Sequence, residues 1–428
     1  MLDPKYVYEN TAYVRKVASD KFVDVDIDAF VSLYEQMRSN QKELDTLNAQ
    51  KKQAAASKDI ELGKSLKEKG ALLEERARSL EEQFQQVAEA IPNLYSPDTP
   101  LGKDDEDNIV LKKWWEPRSF DFPIKDHADL GLELDILDFD TAAKVSGSRF
   151  VYIKNDLVLL QFAIVNWVFQ TLSNQTTIDE IIKNNNLDVS NKPFVAVVPP
   201  VLMKKEVMKK MGRYNPNDQT YELTQDDMVL VASAEHSVGP MHMDEIIDVE
   251  ALPIRYLGYS SAFRREAGSY GKDTKGMIRQ HQFDKLEMET FTIPEYGMEE
   301  HLFMVAIQEY LMQQLWLPYE VMLCCTWDMW AVDYRHVDIN TWIPSQDKFR
   351  ETHSADYVTD YQARRLGTRF KDKNNAGRKW YVHMNDATAI ALGRTMVAII
   401  ENYQQSDGSI KVPEVLVPFM WGKTKIDK

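Results

Sequence analysis

Apolar residues recur every seven positions through two long stretches near the start of the chain. Phe30, Met37 and Leu44 form one series, with Leu33, Asn40 and Leu47 interleaved. Leu66, Leu73, Leu80 and Val87 form the other, and Ala77, Phe84 and Ile91 complete its 3–4 alternation. So narrow a seam suits two helices pairing along their length, not a helix covering a globular core. No proline interrupts the chain from about Ile27 to Ile91, and "AAASKDIELGKS" between the series offers a cap at Ser57 and a glycine at Gly63, where a reversal is expected. The pattern therefore predicts an antiparallel helical hairpin whose second helix, about 32 residues long, would project roughly 48 Å. From Pro92, "IPNLYSPDTPLGKDDEDN" reads as a linker. Beyond it, strand-like runs ("FVAVVPPVLM", "DMVLVASAEH", "MLCCTWDMWAV", "VDINTWIP") alternate with helical patterns over Asp156 to Leu172 and Glu299 to Trp316. That is a mixed α/β or α+β domain. The expected division is residues 1–100, carrying the hairpin at about 27–91, and residues 101–428.

Composition narrows this picture. A chain of 428 residues with 44% apolar content can support two domains and a large core. The charged start "MLDPKYVYEN" is no signal peptide, and no window reaches the ~18 apolar residues of a membrane span. The two cysteines, Cys324 and Cys325, are neighbours in an apolar run, as expected of buried thiols in a reduced compartment. These features predict a cytoplasmic protein without a membrane partner. A net charge of −16 disfavours non-specific nucleic-acid binding, so any such contact must be local. Near the proposed tip, seven lysines lie between Lys42 and Lys69, including Lys51, Lys52, Lys58 and Lys64, but five acidic residues share that span. The hairpin reads either as a spacer or dimerising coiled coil, or as an arm that meets phosphates.

Candidate chemistry concentrates in "FRREAGSYGKDTKGMIRQHQFDKLE", Phe263 to Glu287. By composition it is a surface hairpin of salt-bridged charges. A strand, a glycine-containing loop and a returning strand would, however, gather Arg264, Glu266, Arg279 and Phe283, with strand alternation placing Arg264 beside Glu266 and Arg279 beside Phe283. No G-x-x-x-x-G-K-[ST] loop and no G-x-G-x-x-G follows a strand. A nucleoside triphosphate bound without such a loop needs arginines for phosphates, an acceptor for the adenine amino group and a flat ring to stack. This segment supplies all three.

The spacing F-R-x-E, loop, R-x-x-x-F-x-x-x-E resembles motif 2 of class II aminoacyl-tRNA synthetases, and the fuller string resembles the seryl-tRNA synthetase family. "IPNL", "DFDTAAKVSGSRFVYIK", "VVPPVLM" with Pro200, "WIPSQDKFRE", "DYQARR" and "GRTMVAIIENYQQSDGSIKVPEVLVPFM" are similar to that family in the same order, over essentially the whole chain. The resemblance implies an α+β, homodimeric enzyme with an antiparallel catalytic sheet of six to seven strands, flanked by helices, and an N-terminal antiparallel two-helix coiled-coil arm that binds tRNA. It would activate L-serine with ATP and Mg2+ and pass it to tRNA(Ser), with tRNA(Sec) as a second candidate acceptor. Arg264 matches the residue that holds the α-phosphate and the serine carboxylate. Glu266 would accept from adenine, Phe283 stack on it, Arg279 hold the γ-phosphate and Arg394 pack from the other side. Glu351 and Ser354 match the magnesium pair. Ser233, Glu235, Glu287, Asp386 and Thr388 match the serine contacts.

Some positions depart from the family pattern. Trp327 and Trp330 stand for glycines, Asn340 for an acid, Asp386 for Asn, Ser233 for Thr, and "ADYVT" for small and Asn residues. The arm is short for a bacterial member. A paralogue loading a small amino acid onto a carrier protein, or a non-catalytic coiled-coil RNA-binding protein, are the competing readings; the complete arm speaks against the first, the retained arginines against the second.

Overall fold

The computed structural model describes every residue except 216, 218, 268–275 and 375–377, so the glycine-rich centre of the motif 2 loop lies outside the described residues. The chain divides into two compact units, Met1–Tyr95 and Ser96–Lys428.

In the first unit, α1 (Pro4–Glu9) and α2 (Thr11–Asp20) precede two helices of 31 residues each, α3 (Ile27–Ser57) and α4 (Ile60–Ala90). The expected seam closes: Phe30, Asn40, Leu47 and Ala54 are buried along α3 against Leu66, Leu73, Leu80 and Phe84 of α4. Asn40 sits in the seam and donates to the Leu73 carbonyl at 3.2 Å, a polar contact that fixes register. The reversal differs from the expected one. Ser57 ends α3 with its hydroxyl bonded back to Ala54 O, Lys58 turns the chain in the left-handed conformation, and Asp59 caps α4 by accepting from Leu62 N at 3.0 Å. Gly63 lies within α4. An Asp at the N-cap satisfies an orphan N–H of the new helix, and Lys58 takes the left-handed position that glycine most often fills.

The second unit is built on eight strands: β1 (Ile109–Trp114), β2 (Val195–Val197), β3 (Ile254–Phe263), β4 (Gln282–Thr292), β5 (Tyr319–Leu323), β6 (Arg335–Ile343), β7 (Lys348–Thr359) and β8 (His383–Ala391). They lie in the order β1-β5-β6-β7-β8-β4-β3-β2, antiparallel throughout except that β2 runs parallel to β3. The sheet is thus one strand wider than expected, because "IVLKKW" after the linker pairs with β5 as an exposed edge. The apolar run "MLCCTWDMWAV" leaves the sheet after Leu323, with Cys324 and Cys325 buried as free thiols. Helices α5 (Asn155–Leu172), α6 (Gly297–Gln314) and α7 (Leu392–Asn402) carry Leu160, Ile164, Phe303, Ile307, Val397 and Ile400 into one core with Leu257, Met288, Ile339 and Ala387 of the sheet. One sheet face is thereby buried and the other left to carry polar chemistry.

Candidate active site

The β3–β4 hairpin sets the first half of the site. Phe263 pairs with Gln282, and the ladder continues one step, from Arg264 N to His281 O at 2.9 Å. Arg264, Glu266 and Arg279 all lie beyond the strand ends, so strand alternation does not place them. Glu266 adopts the left-handed region (φ 52°), and its carboxylate accepts from Arg279 Nη1 at 2.6 Å across the hairpin. The Arg264 guanidinium lies 5.2 Å from the Phe283 ring centroid, and its Nε donates to Ala232 O at 3.3 Å. Burial and the neighbouring Arg394 push Arg264 down from its ordinary value, so the pair of cations is poised to take up an anion. The return of the loop is pinned by His127, whose Nε2 accepts from Met277 N at 3.0 Å while Nδ1 meets Glu401 at 2.8 Å. Gly276 beside it has φ +84°, and a Cβ there would collide with that same Nε2.

Arg264, Glu266, Arg279, Phe283, Glu351, Ser354, Thr388 and Arg394 line a single cavity. Arg394, at the start of α7, binds the Glu351 carboxylate at 2.8 Å and its carbonyl at 2.9 Å. Two bulges shape this face. Thr352 has no opposite residue in β6, and Ala389 has none in β4, so Ser354 joins Glu351, and Thr388 joins Ala391, in lining the cavity. Glu351 and Ser354 offer hard oxygen donors beside a cluster of arginines, a donor set that fits Mg2+.

Next to this cavity the polar side chains are buried. Ser233 donates to Glu287 at 3.2 Å, Thr388 to the other Glu287 oxygen at 3.5 Å, and Glu235 N to Ser233 Oγ at 3.3 Å. Lys285 is ion-paired with Glu287. Burial pushes Glu287 up to about 7 against the pull of Lys285, with Glu235 adding to the rise. Oxygens of Glu235, Glu287 and Asp386 lie within 4.8 Å of one another. Asp386 is opposite Glu289 in β4 and Asp356 in β7, whereas Asn385 faces the other way and donates to Thr290 at 3.3 Å.

Residues 1–95 match the Seryl-tRNA synthetase N-terminal domain, and residues 220–403 match the tRNA synthetase class II core domain (G, H, P, S and T). A serine–tRNA ligase from Symbiobacterium thermophilum is 37% identical over 98% of each chain, and one from Nitrosopumilus maritimus 35% identical over the full length of both.

The chain belongs to the seryl-tRNA synthetase family.

Solved seryl-tRNA synthetases agree with it in three dimensions. The Pyrococcus horikoshii enzyme complexed with ATP superposes with a TM-score of 0.88 at 32% identity, covering 100% of this chain and 99% of that one. The cytoplasmic Naegleria fowleri enzyme in complex with AMP gives 0.85 at 26% identity, with coverage of 98% and 96%. Among the departures from the family pattern, Trp327 and Trp330 are half-exposed in the turns after β5, and Asn340 pairs in register with Glu351. Of the arm lysines, Lys52, Lys58 and Lys64 are exposed, but Lys51 is half-buried, lying across Gly70 of the facing helix. Sequence reasoning missed Arg213, Lys285 and His127. Lys285 was within reach, since it shares a strand face with Glu287. Arg213 was not, being 173 residues from Asp386.

Proposed function

We propose that the two adjoining parts of this site are an ATP half and a serine half, with Arg264 as the group common to both. One observation carries the reading: the same guanidinium covers the Phe283 ring on one side and reaches Ala232 O, next to Ser233, on the other. The chain activates L-serine with ATP to seryl-adenylate and transfers serine to tRNA(Ser). In that first step the serine carboxylate attacks the α-phosphorus and pyrophosphate leaves, so negative charge grows between the two substrates. Arg264 stands where that charge develops and stabilises it more than it stabilises the ground state.

The remaining roles follow from chemistry and position. Phe283 gives the adenine a stacking face and Glu266 an acceptor for its amino group; Arg279 and Arg394 flank the phosphates as bidentate donors. Glu351 and Ser354 would hold Mg2+, which would supply positive charge to offset that of the phosphates. For serine, Glu287 and Thr388 contact the hydroxyl and Glu235 with Ser233 the ammonium side. A site built to hydrogen-bond a hydroxyl rejects analogues lacking it far better than a size filter does. We assign Met1–Tyr95 to tRNA binding and Ser96–Lys428 to chemistry, in a homodimeric and cytoplasmic enzyme. No single helix among the described residues is long and apolar enough to cross a membrane. The deciding experiment is ATP–pyrophosphate exchange with each of the twenty amino acids. Serine alone should support it, and exchange with another amino acid but not serine would overturn the reading.

A further inference from the structure

Asp386 and Asp356 (the acid in "ADYVT"), both departures from the family pattern, converge on one side chain. Arg213 follows Gly212, which ends the helix Lys205–Met211 in the left-handed conformation and turns the next residue inward. Its side chain is 7% exposed and is shared by four carboxylates: Glu235 at 2.8 Å from Nε, Asp356 at 3.1 Å and Asp386 at 3.4 Å from Nη2, and Asp333 at 3.7 Å from Nη1. These come from the short helix Glu235–Val238, from β7, from β8 and from the turn before β6. Lys285 at Glu287, and His336 paired with Asp356 and 3.1 Å from Asp338, are the other cations beside this cluster, and Glu289 adds a further acid opposite Asp386.

Carboxylates this close in a buried setting repel unless a cation sits among them. The guanidinium donates hydrogen bonds from Nη2 to Asp356 and Asp386 and meets Glu235 and Asp333 by charge. Its planar, delocalised cation spans all four, whereas an ammonium on the same backbone is a point charge. Asp356 and Asp386 face each other across neighbouring strands, and Arg213 closes the gap between them. The same guanidinium holds Glu235, whose backbone N–H is tied to Ser233. Arg213 therefore connects the floor of the pocket to its wall.

We infer that Arg213 is a positioning residue of the amino-acid pocket, holding Glu235 and Asp386 where they receive the substrate and setting the pocket's charge. This rests on reading that pocket as the serine site. Wild-type exchange is therefore measured first, and whichever amino acid supports it is used for every variant. A wrong amino acid then shows in the wild type, and a wrong role for Arg213 shows only in the variants.

The test compares Arg213→Gln, Arg213→Lys and the pair Arg213→Gln/Asp386→Asn in full-length protein. Arg213→Gln should raise the amino-acid KM about 100-fold, the scale of breaking one partner out of a buried ion cluster, while the ATP KM stays within about 3-fold. Removing the unmatched acid in the pair should recover at least about tenfold of that loss, since the amide repels nothing. Arg213→Lys, which keeps the charge without the fork, should fall between Gln and wild type and serves if Arg213→Gln does not fold. Equal rises in both KM values, no rescue in the pair, or a wild-type KM in Arg213→Lys would each overturn the inference.

Discussion

Glu351 and Ser354 are three residues apart in one strand and yet line the same cavity. In an unbroken strand, positions three apart face opposite sides. Here Glu351 pairs with Asn340 and His353 with Ile339, leaving Thr352 as an extra residue that shifts the alternation by one. The Thr352 hydroxyl is tied to Thr341 at 2.7 Å, which holds the bulge in place. Glu351→Gln keeps the shape of this arrangement and removes a charge. We predict that it lowers serine-dependent exchange about 100-fold, the scale of removing one electrostatic partner of the transition state, and raises the Mg2+ concentration needed for half-maximal rate. A magnesium titration that overlays the wild type would take Glu351 out of the ligand set.

Arg264→Ala should lower the rate of adenylate formation at least ~100-fold, because in the proposed site it removes a donor common to both substrates. Single-turnover formation of seryl-adenylate measures this directly. A near wild-type rate would show that the guanidinium over Phe283 is a packing feature.

The raised pKa of Glu287 gives two pH effects of opposite sign. Folded-state Glu287 holds its proton up to about 7, above the ordinary value of 4.5, so its contribution to stability is full below that ordinary value and is lost as pH rises through 7. Serine binding should run the other way, since in the proposed site the ionised carboxylate would accept from the serine hydroxyl more strongly than the protonated one. The kcat/KM for serine should therefore rise through an apparent pKa near 7 as the free enzyme ionises. Glu287→Gln should abolish that limb and flatten the stability slope between pH 4.5 and 7. Persistence of the limb in the variant would assign it to another group.

Whatever is local or periodic in this protein can be read in its sequence. The arm seam follows from spacing alone, because a heptad leaves one geometry for its apolar residues. The reversal is ambiguous at that level because Ser57 and Asp59 are both cap formers, and which one caps is settled by where the preceding helix stops. Motif 2 is legible as a constellation, although its arginines are placed by loop contacts and not by strand alternation. The distinction between Asn385 and Asp386 is legible too, since neighbours in a strand face opposite sides. Arg213 is out of reach: its four partners lie on four segments, and nothing local marks an arginine after a helix-ending glycine as buried. The bulges at Thr352 and Ala389 are equally invisible, being properties of a pairing and not of a strand.

The last prediction separates the two units. The arm seam closes on itself, with Leu47, Ala54, Leu66 and Leu73 forming their own apolar cluster, and the cavity that gathers Arg264, Glu351 and Arg394 is lined wholly by residues after Ser96. Adenylation should therefore not need the arm, whereas charging should. Lys52, Lys58 and Lys64 are exposed at or near the turn, so their charge is available to phosphates; Lys51, lying across Gly70, is less so. Changing the three exposed lysines to alanine should leave serine-dependent exchange within about 2-fold, because surface substitutions far from a site seldom propagate. It should weaken tRNA binding and flatten its dependence on log salt concentration by about 0.7–0.9 for each phosphate that is no longer neutralised. Adding Lys51→Ala should change the slope less than any of the three. Deleting Leu33 to Val87 is the limiting case, in which charging collapses while exchange persists. An unchanged salt slope in the triple variant would make the arm a spacer, and loss of exchange on deletion would tie it to the chemistry itself.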